Sequence, residues 1–528
     1  MNLEIFDSTL RDGAQGAGIN FSVEDKLNIV KALDDLGIAY IEAGNPGSNP
    51  KDLEFFEKAK HCRLQSAQLV AFGATRRRNI RAEEDNNCLS LLNAGTDAVA
   101  IFGKAWDLHA TKILNATLEE NLHMICDTIS FFKEKGKTVI FDAEHFFDGF
   151  KNNPSYAIDA LHAAEKGGAD LLCLCETNGG CFPDEVSSIV DEVKKQVTTP
   201  LGIHCHNDSG CGIANSIAAV LAGCKQVQGT YLGYGERCGN ANLSAIIPNL
   251  QLKRGHICIP ENKMQKLTTT ARLIAEIANQ PLENNLPYVG RSAFSHKAGM
   301  HIDGVNKLSR SFEHICPDQV GNERHFLMSE VAGRSTVLKK INKIDPTLTK
   351  DAEETQLICD TVKQKEYEGF QYEAAEASFE LLVKKLLGQT KKYFHLDYFK
   401  TVVDEPSVQK YSASAIIKVT VGKQTEITAA EGDGPVHALD SALRRVLVLF
   451  YPQLSNVRLT DYKVRVLEPQ KATGAKVRVL ITSSDEKDSW TTVGVSTDVI
   501  DASWQALVES IEYKLAKDEE INDTDPNS

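Results

Sequence analysis

The sequence predicts an α/β protein built on a TIM (β/α)8 barrel, followed by a mostly helical linker region and a C-terminal α+β domain. Three observations predict it. One local phrase recurs four times in the first half: helix end, glycine, short apolar strand, polar residue. Further apolar runs, separated by amphipathic stretches, bring the strand–helix units to eight. After about residue 255 the repeat stops, and from about residue 400 alternating strands and amphipathic helices replace it.

The phrase reads ALDDLGIAYIEAG around Gly37, LLNAGTDAVAIFG around Gly95, AAEKGGADLLCLCETNG around Gly168 and AVLAGCKQVQGTYLG around Gly223. Each glycine suits a helix C-terminus, where the chain turns through a left-handed conformation. The strand after it is apolar almost throughout, as a parallel sheet buried on both faces requires. EIFDST, QLVAFG, TVIFDAE and LGIHCH supply the other four strands. In order, the eight begin near Glu4, Ala39, Gln68, Asp97, Thr138, Asp170, Leu201 and Gln226. Helical patterns such as VEDKLNIVKALDDLG and NPSYAIDALHAAEKG separate them. This spacing reads as a barrel rather than an open doubly wound sheet. The glycine-rich segment GYGERCG at 233–239 has the wrong spacing for a dinucleotide site and follows the last strand.

In a barrel of this kind catalytic residues stand at the C-terminal ends of the strands. Those ends read Arg11 and Asp12, Glu42, Lys104, Glu144, Thr177 and Asn178, then His204 and His206, with Asn240 in the loop after strand eight. His204 and His206 are two apart in a strand, so they project together with Cys205 turned away. Two imidazoles on one face plus the remote carboxylate of Asp12 make a divalent-metal site with room for a substrate.

The chain has 528 residues, so two or three domains are expected. Its formal net charge of −14 argues against a nucleic-acid partner, which needs a basic face. Arg76, Arg77 and Arg78 are a local candidate for an anionic ligand, although a solvated face is the better reading. The 13 cysteines are scattered without paired Cys-x-x-Cys spacing, and the N-terminus has no signal-peptide pattern. Reduced thiols and a cytoplasmic location are expected. No apolar run is long enough for a bilayer, so no membrane partner is expected.

In the second half, NKMQKLTTTARLIAEIAN reads as a helix leading into LPYVGRSAFSHKAGMHIDGV, an ordered loop suited to function. Taken alone, His296 and His301 there read as surface histidines. SASAIIKVTVG alternates as a half-buried strand, GPVHALDSALRRVLVLF is an amphipathic helix, and two strands around Thr473 and Gly474 form a hairpin. A last strand and helix follow. The tail KDEEINDTDPNS is acidic and apolar-poor, and disorder is expected. The expected divisions are 1–255, 256–400, 401–517 and 518–528.

The motifs IFDSTLRDGAQ, IEAGNPGSNP, FDAEHFFDGF, LCLCETNGG, GIHCHNDSGCGIANS, GYGERCGNANLSAIIPNL, GRSAFSHKAGMHIDGV and VGNERHFLMSEVAGRS together resemble the 2-isopropylmalate synthase/homocitrate synthase family, within the DRE-TIM metallolyase superfamily. The resemblance covers nearly the whole chain and is nearest to the long-type branch that takes pyruvate. It implies a divalent metal (Mn2+, Mg2+ or Zn2+) on Asp12, His204 and His206, with Asn240 nearby. It implies that Arg11 holds the oxygen of a 2-oxoacid and Thr177 its carboxylate, and that Glu144 is an acidic group of the site. His301 would reach the site of a partner subunit, which implies a homodimer.

The activity implied is that of an acyltransferase condensing acetyl-CoA with pyruvate and water, with Glu144 and His301 both candidates for the base. A larger 2-oxoacid, carbon–carbon cleavage, or a catalytically silent amino-acid sensor are the alternatives. The C-terminal domain is implied to be regulatory, binding isoleucine as a feedback inhibitor; EGDGP at 431–435 and Gly494 to Ser496 with Asp498 are its candidate contacts. Many relatives have a glutamate where this chain has Ala14, an aromatic where it has Asn45, and a tyrosine where it has Phe312.

Overall fold

The structure is a computed structural model that describes residues 2–326, 338, 341–342, 344–349, 351–403, 413–467, 469–485 and 488–524. It divides into two compact units: Met1–Ser295 with Glu313–His325, and His296–Phe312 with Phe326–Ser528.

In the first unit eight parallel strands close into a barrel in sequential order. They are β1 (Glu4–Asp7), β2 (Tyr40–Gly44), β3 (Gln68–Ala74), β4 (Ala98–Lys104), β5 (Thr138–Glu144), β6 (Leu171–Glu176), β7 (Leu201–Cys205) and β8 (Gln226–Gly229). Each begins within a residue of its expected start. Closure pairs Glu4 with Gln226 and Asp7 with Gly229. The four repeat glycines, Gly37, Gly95, Gly168 and Gly223, all have positive φ, at 95°, 76°, 90° and 130°. A residue with a β-carbon is strained there, so the phrase carries glycine. The helix Val23–Leu36 shows how the sequence marks its ends: Ser22 and Asp25 form a capping box, and Gly37 closes the helix. Between strands and helices lies the main core, which includes Ile29, Leu33, Phe55, Phe132, Phe141 and Ile246.

The barrel unit does not stop at the expected residue 255. It continues through the helix Leu267–Ile277, which packs on Val23–Leu36, to Ser295, and recovers Glu313–His325. The sequence repeat ends at 255 because the barrel is complete there; burial of its outer helices is not.

The second unit holds the helices Gly299–Lys307, Glu353–Glu368 and Glu376–Leu386, then two three-stranded antiparallel sheets. One is His395–Val403, Ala413–Val421 and Gln424–Gly432, covered by the helix Pro435–Leu447. The other is Arg458–Val466, Val477–Ser484 and Ser489–Ser496, covered by the helix Val499–Thr524. The two halves repeat one plan. At the strand-to-helix turn of each, a glycine lets backbone approach backbone: a β-carbon on Gly432 would stand 2.5 Å from the Ala438 nitrogen, and one on Gly494 1.9 Å from the Ala502 oxygen.

Two expected boundaries move. The division at 400 falls inside the strand His395–Val403, whose largely exposed pattern hides its alternation. The expected disordered tail from 518 is helical through Thr524, because Lys384 and Lys391 pair with Glu520 and Glu519 there. Residues 525–528 and positions 327–335 of VGNERHFLMSEVAGRS lie outside the described residues. Among the described residues no helix is long and apolar enough to cross a membrane.

Candidate active site

Just beyond β1, the chain folds across the barrel mouth. Asp7 accepts the Thr9 N–H at 2.9 Å and its hydroxyl at 3.0 Å, and the Thr9 oxygen accepts the Tyr231 N–H at 2.7 Å. This turn aims Asp12 back over the barrel, where it is 3% exposed. His204 on β7 and His206 just past it point to the same side, each 5% exposed. Their Nε2 atoms lie 3.3 Å and 3.8 Å from Asp12 Oδ2.

Burial alone would keep Asp12 neutral, but Arg11, His204 and His206 together hold it well below the usual carboxylate range. His206 is pushed down to about 4, first by burial and then by His204 and Arg237. His204 moves the other way, because Asp12 outweighs the cost of burying its charge.

Asn240 pairs with His206 through a backbone bridge. Its Nδ2 donates to the Tyr234 oxygen at 3.1 Å, which leaves Oδ1 buried without a partner. Gly235, at φ 157°, makes room: a β-carbon there would lie 2.2 Å from Asn240 Nδ2.

These residues fit a divalent cation. Oxygen and imidazole donors about 2.0–2.2 Å from one ion stand roughly 3–4 Å apart, and one ligand atom from each of Asp12, His204 and His206 lies within 4.8 Å of the others. The Asn240 Oδ1, buried without a partner on a residue bridged to His206, is a candidate fourth donor.

Arg11 is held from two sides. Its Nε donates to Glu42 Oε2 at 2.7 Å, Nη1 lies 3.3 Å from Asp12, and the guanidinium carbon sits 3.8 Å above the Phe72 ring. Among the described residues its Nη2 has no partner. Glu144 at the end of β5 pairs with Lys104 at the end of β4. The Thr177 hydroxyl accepts the His145 N–H at 2.9 Å, and its carbonyl accepts Arg237 Nη2 at 2.8 Å. That same Nη2 lies 3.0 Å from His206 Nδ1, so Thr177 is tied to the histidine pair. Asn178 turns to Asp148 at 2.9 Å.

The structure therefore brings Arg11, Asp12, His204, His206 and Asn240 together, and links Thr177 to them. His301 belongs to the second unit, on the helix Gly299–Lys307, where its ring stacks on Phe312 at 4.5 Å. Of the three arginines, Arg76 is buried against Glu120 and Asp127 at 2.9 Å and 2.7 Å, while Arg77 and Arg78 are exposed.

Sequence reasoning missed Arg237, His145 and Gln228. Arg237 stands inside the motif GERCGN, and its positive φ of 54° marks a turn the sequence does not announce. His145 is likewise left-handed, at φ 56°, and its Nδ1 lies 3.2 Å from Asp148 Oδ2. Only a few per cent of residues with side chains adopt this conformation, so nothing in the local sequence announces it.

Three families match successive stretches of the chain. The family described as HMGL-like matches residues 2–274, homocitrate synthase post-HMGL domain-like matches 288–368, and the LeuA allosteric (dimerisation) domain matches 373–515. The (R)-citramalate synthase of Aquifex aeolicus is 51% identical over 98% of this chain and 98% of its own. The chain belongs to the (R)-citramalate synthase family. The members from Geobacter sulfurreducens and Synechocystis are each 48% identical, over 98% and 97% of this chain and 98% and 96% of theirs. As a member of the (R)-citramalate synthase family, the chain is a condensing enzyme of the acyltransferase class.

Proposed function

We propose that this chain condenses acetyl-CoA with pyruvate and water to give (R)-citramalate and CoA. The observation that carries this reading is the full-length identity to proteins of that name, together with an intact Asp12, His204 and His206 cluster at the barrel mouth.

Asp12, His204, His206 and Asn240 would hold a divalent cation, which supplies Lewis acidity to the oxygens of a 2-oxoacid. Arg11 places fixed positive charge where the ketone oxygen becomes an alkoxide. Glu42 and Phe72 hold that charge in position before reaction, so it favours the transition state over the ground state. Thr177 offers its hydroxyl to the oxoacid carboxylate. Glu144, beside Lys104, takes a proton from the acetyl methyl group; the carbanion adds to the ketone carbon, the C=O π electrons pass to oxygen as the alkoxide, and the proton taken up passes to that alkoxide. Water then cleaves the thioester: its oxygen goes to the acyl carbon and a proton to the departing thiolate. His301 is the second candidate for proton transfer, contributed by the partner of a homodimer.

The C-terminal unit binds isoleucine and lowers activity. Its match to an allosteric (dimerisation) domain supports both the feedback and the dimer. Thirteen free cysteines support a reducing, cytoplasmic setting. The test is purified protein incubated with acetyl-CoA and a panel of 2-oxoacids while free thiol is followed. Thiol release with pyruvate above all others is expected. Release only with a larger, branched oxoacid would move the reading to 2-isopropylmalate synthesis, and no release with any would leave the sensor.

A further inference from the structure

A (β/α)8 barrel is ordinarily filled by branched apolar side chains. Part of this one is, by Phe6, Val70, Ile140 and Leu171 among others. β8 differs. Its sequence, QVQG, sets Gln226 and Gln228 on one face, and both are fully buried.

The two amides form a directed chain. Gln226 Nε2 donates to Glu4 Oε2 on β1 at 3.1 Å. Gln228 Nε2 donates to Gln226 Oε1 at 3.4 Å and to Asp142 Oδ1 on β5 at 2.9 Å. Gln228 Oε1 lies 3.2 Å from His204 Nδ1, its partner in register across β7 and β8. An ionised carboxylate only accepts, so Glu4 fixes which end of Gln226 faces it. Gln226 then presents its oxygen to Gln228, which must turn its nitrogen that way. What remains to face His204 is a carbonyl oxygen. His204 Nδ1 must therefore be the donor, which leaves Nε2, 3.3 Å from Asp12 Oδ2, as the nitrogen available to the cation.

Apolar residues of similar volume would fill this space without burying amides, which are costly unless every group is paired. Here they are paired link by link, and what the chain adds over an apolar filling is direction. We propose that Gln228 is a positioning residue for His204: through the chain that begins at Glu4, it fixes the tautomer and ring orientation that make Nε2 a metal donor. The inference rests on the cation site proposed above.

The test is calorimetric titration of metal-free protein with Mn2+, alongside thermal unfolding of the same samples. Gln228→Met keeps length and apolar volume but offers no acceptor. Gln228→Glu keeps an acceptor toward His204. Gln228→Met should bind Mn2+ roughly 10–100-fold more weakly, and Gln228→Glu within a few-fold of wild type. Should Gln228→Met fail to fold, Gln228→Leu combined with Asp142→Leu removes both partners at once and should show the same loss. Wild-type Mn2+ affinity in the folded variant lacking the acceptor overturns the proposal. So does an equal loss in Gln228→Met and Gln228→Glu, since the acceptor would then not be what matters. If wild type itself takes up no Mn2+, the cation site falls and this inference with it; if wild type binds and Gln228→Met matches it, this inference falls alone.

Discussion

Lys104 and Glu144 are paired twice: their backbones are in register across β4 and β5, and their side chains form an ion pair at the barrel mouth. The lysine fixes the carboxylate's position without being a cation ligand. Glu144→Gln should therefore leave bound metal unchanged and cut kcat by roughly 10²–10⁴-fold, the range typical of a lost acid–base group. Metal analysis and steady-state kinetics on one preparation check both halves. Unchanged turnover would remove Glu144 from the chemistry.

Asp12→Asn and His206→Ala each delete one donor from a cluster whose members lie within 4.8 Å. Both variants should lose more Mn2+ affinity than the roughly 10–100-fold that an outer partner costs, and turnover should fall with it. The fold should persist, because β1 and β7 stay paired to their neighbours. A His206→Ala protein that keeps wild-type activity after chelation would remove this cluster from the reaction.

Glu176 gives the pH prediction. Burial pushes its carboxyl up to about 7, and the Gly180 N–H, donating at 3.0 Å, offsets this only in part. Between about pH 4.5 and 7 the unfolded chain ionises this group while the folded one stays protonated. Its contribution is thus fully present below the unfolded value and is lost as pH rises to about 7. Glu176→Gln mimics the protonated form. The variant should lose this component of the slope and unfold at a higher temperature than wild type at pH 8, as thermal melts of metal-free protein would show. A variant less stable than wild type at pH 8, with the slope unchanged, contradicts this.

Isoleucine should bind the full-length protein and reduce activity several-fold, since a coupling of about 1–3 kcal/mol between sites is typical. Calorimetry with isoleucine, leucine and valine checks it. Binding of none removes feedback by these amino acids; leucine alone would point to a different product. Deletion must respect the strand His395–Val403, which a cut at residue 400 would split.

Phe312→Tyr adds one hydroxyl at a side chain 44% exposed, so it should be tolerated, with kcat at or above wild type. Its neighbour in the ring stack, His301, should lower turnover when changed to alanine. Mixing His301→Ala with His206→Ala subunits should restore part of the activity if dimers share their sites. Absence of recovery despite confirmed subunit exchange would place His301 outside a shared site.

Most of the barrel was legible because two periodicities coincide in it: glycine at helix ends and unbroken apolar strands between. The grouping of Asp12, His204 and His206 was legible for the same reason, since strand ends locate themselves once strands are found. What stayed hidden obeys no period. Gln226 and Gln228 look like polar interruptions of a weak strand until neighbours from β1, β5 and β7 surround them. Arg237 and His145 depend on left-handed turns at non-glycine positions. The strand His395–Val403 is mostly exposed, so its alternation carries little contrast.

The hydrogen bond from the Tyr231 N–H to Thr9 spans 222 positions in sequence, and this has a consequence for biosynthesis. Asp12 leaves the ribosome early and Asn240 late, an interval of roughly 10–50 s at the usual 5–20 residues per second. For most of it the nascent chain carries Asp12 without His204 and His206, and Arg11 with no mouth to line. Closure of β8 onto β1 delivers every donor in one event. Uptake of the cation by a newly made chain would thus mark the completed barrel, and a polysome-bound fragment ending before β8 should take up none.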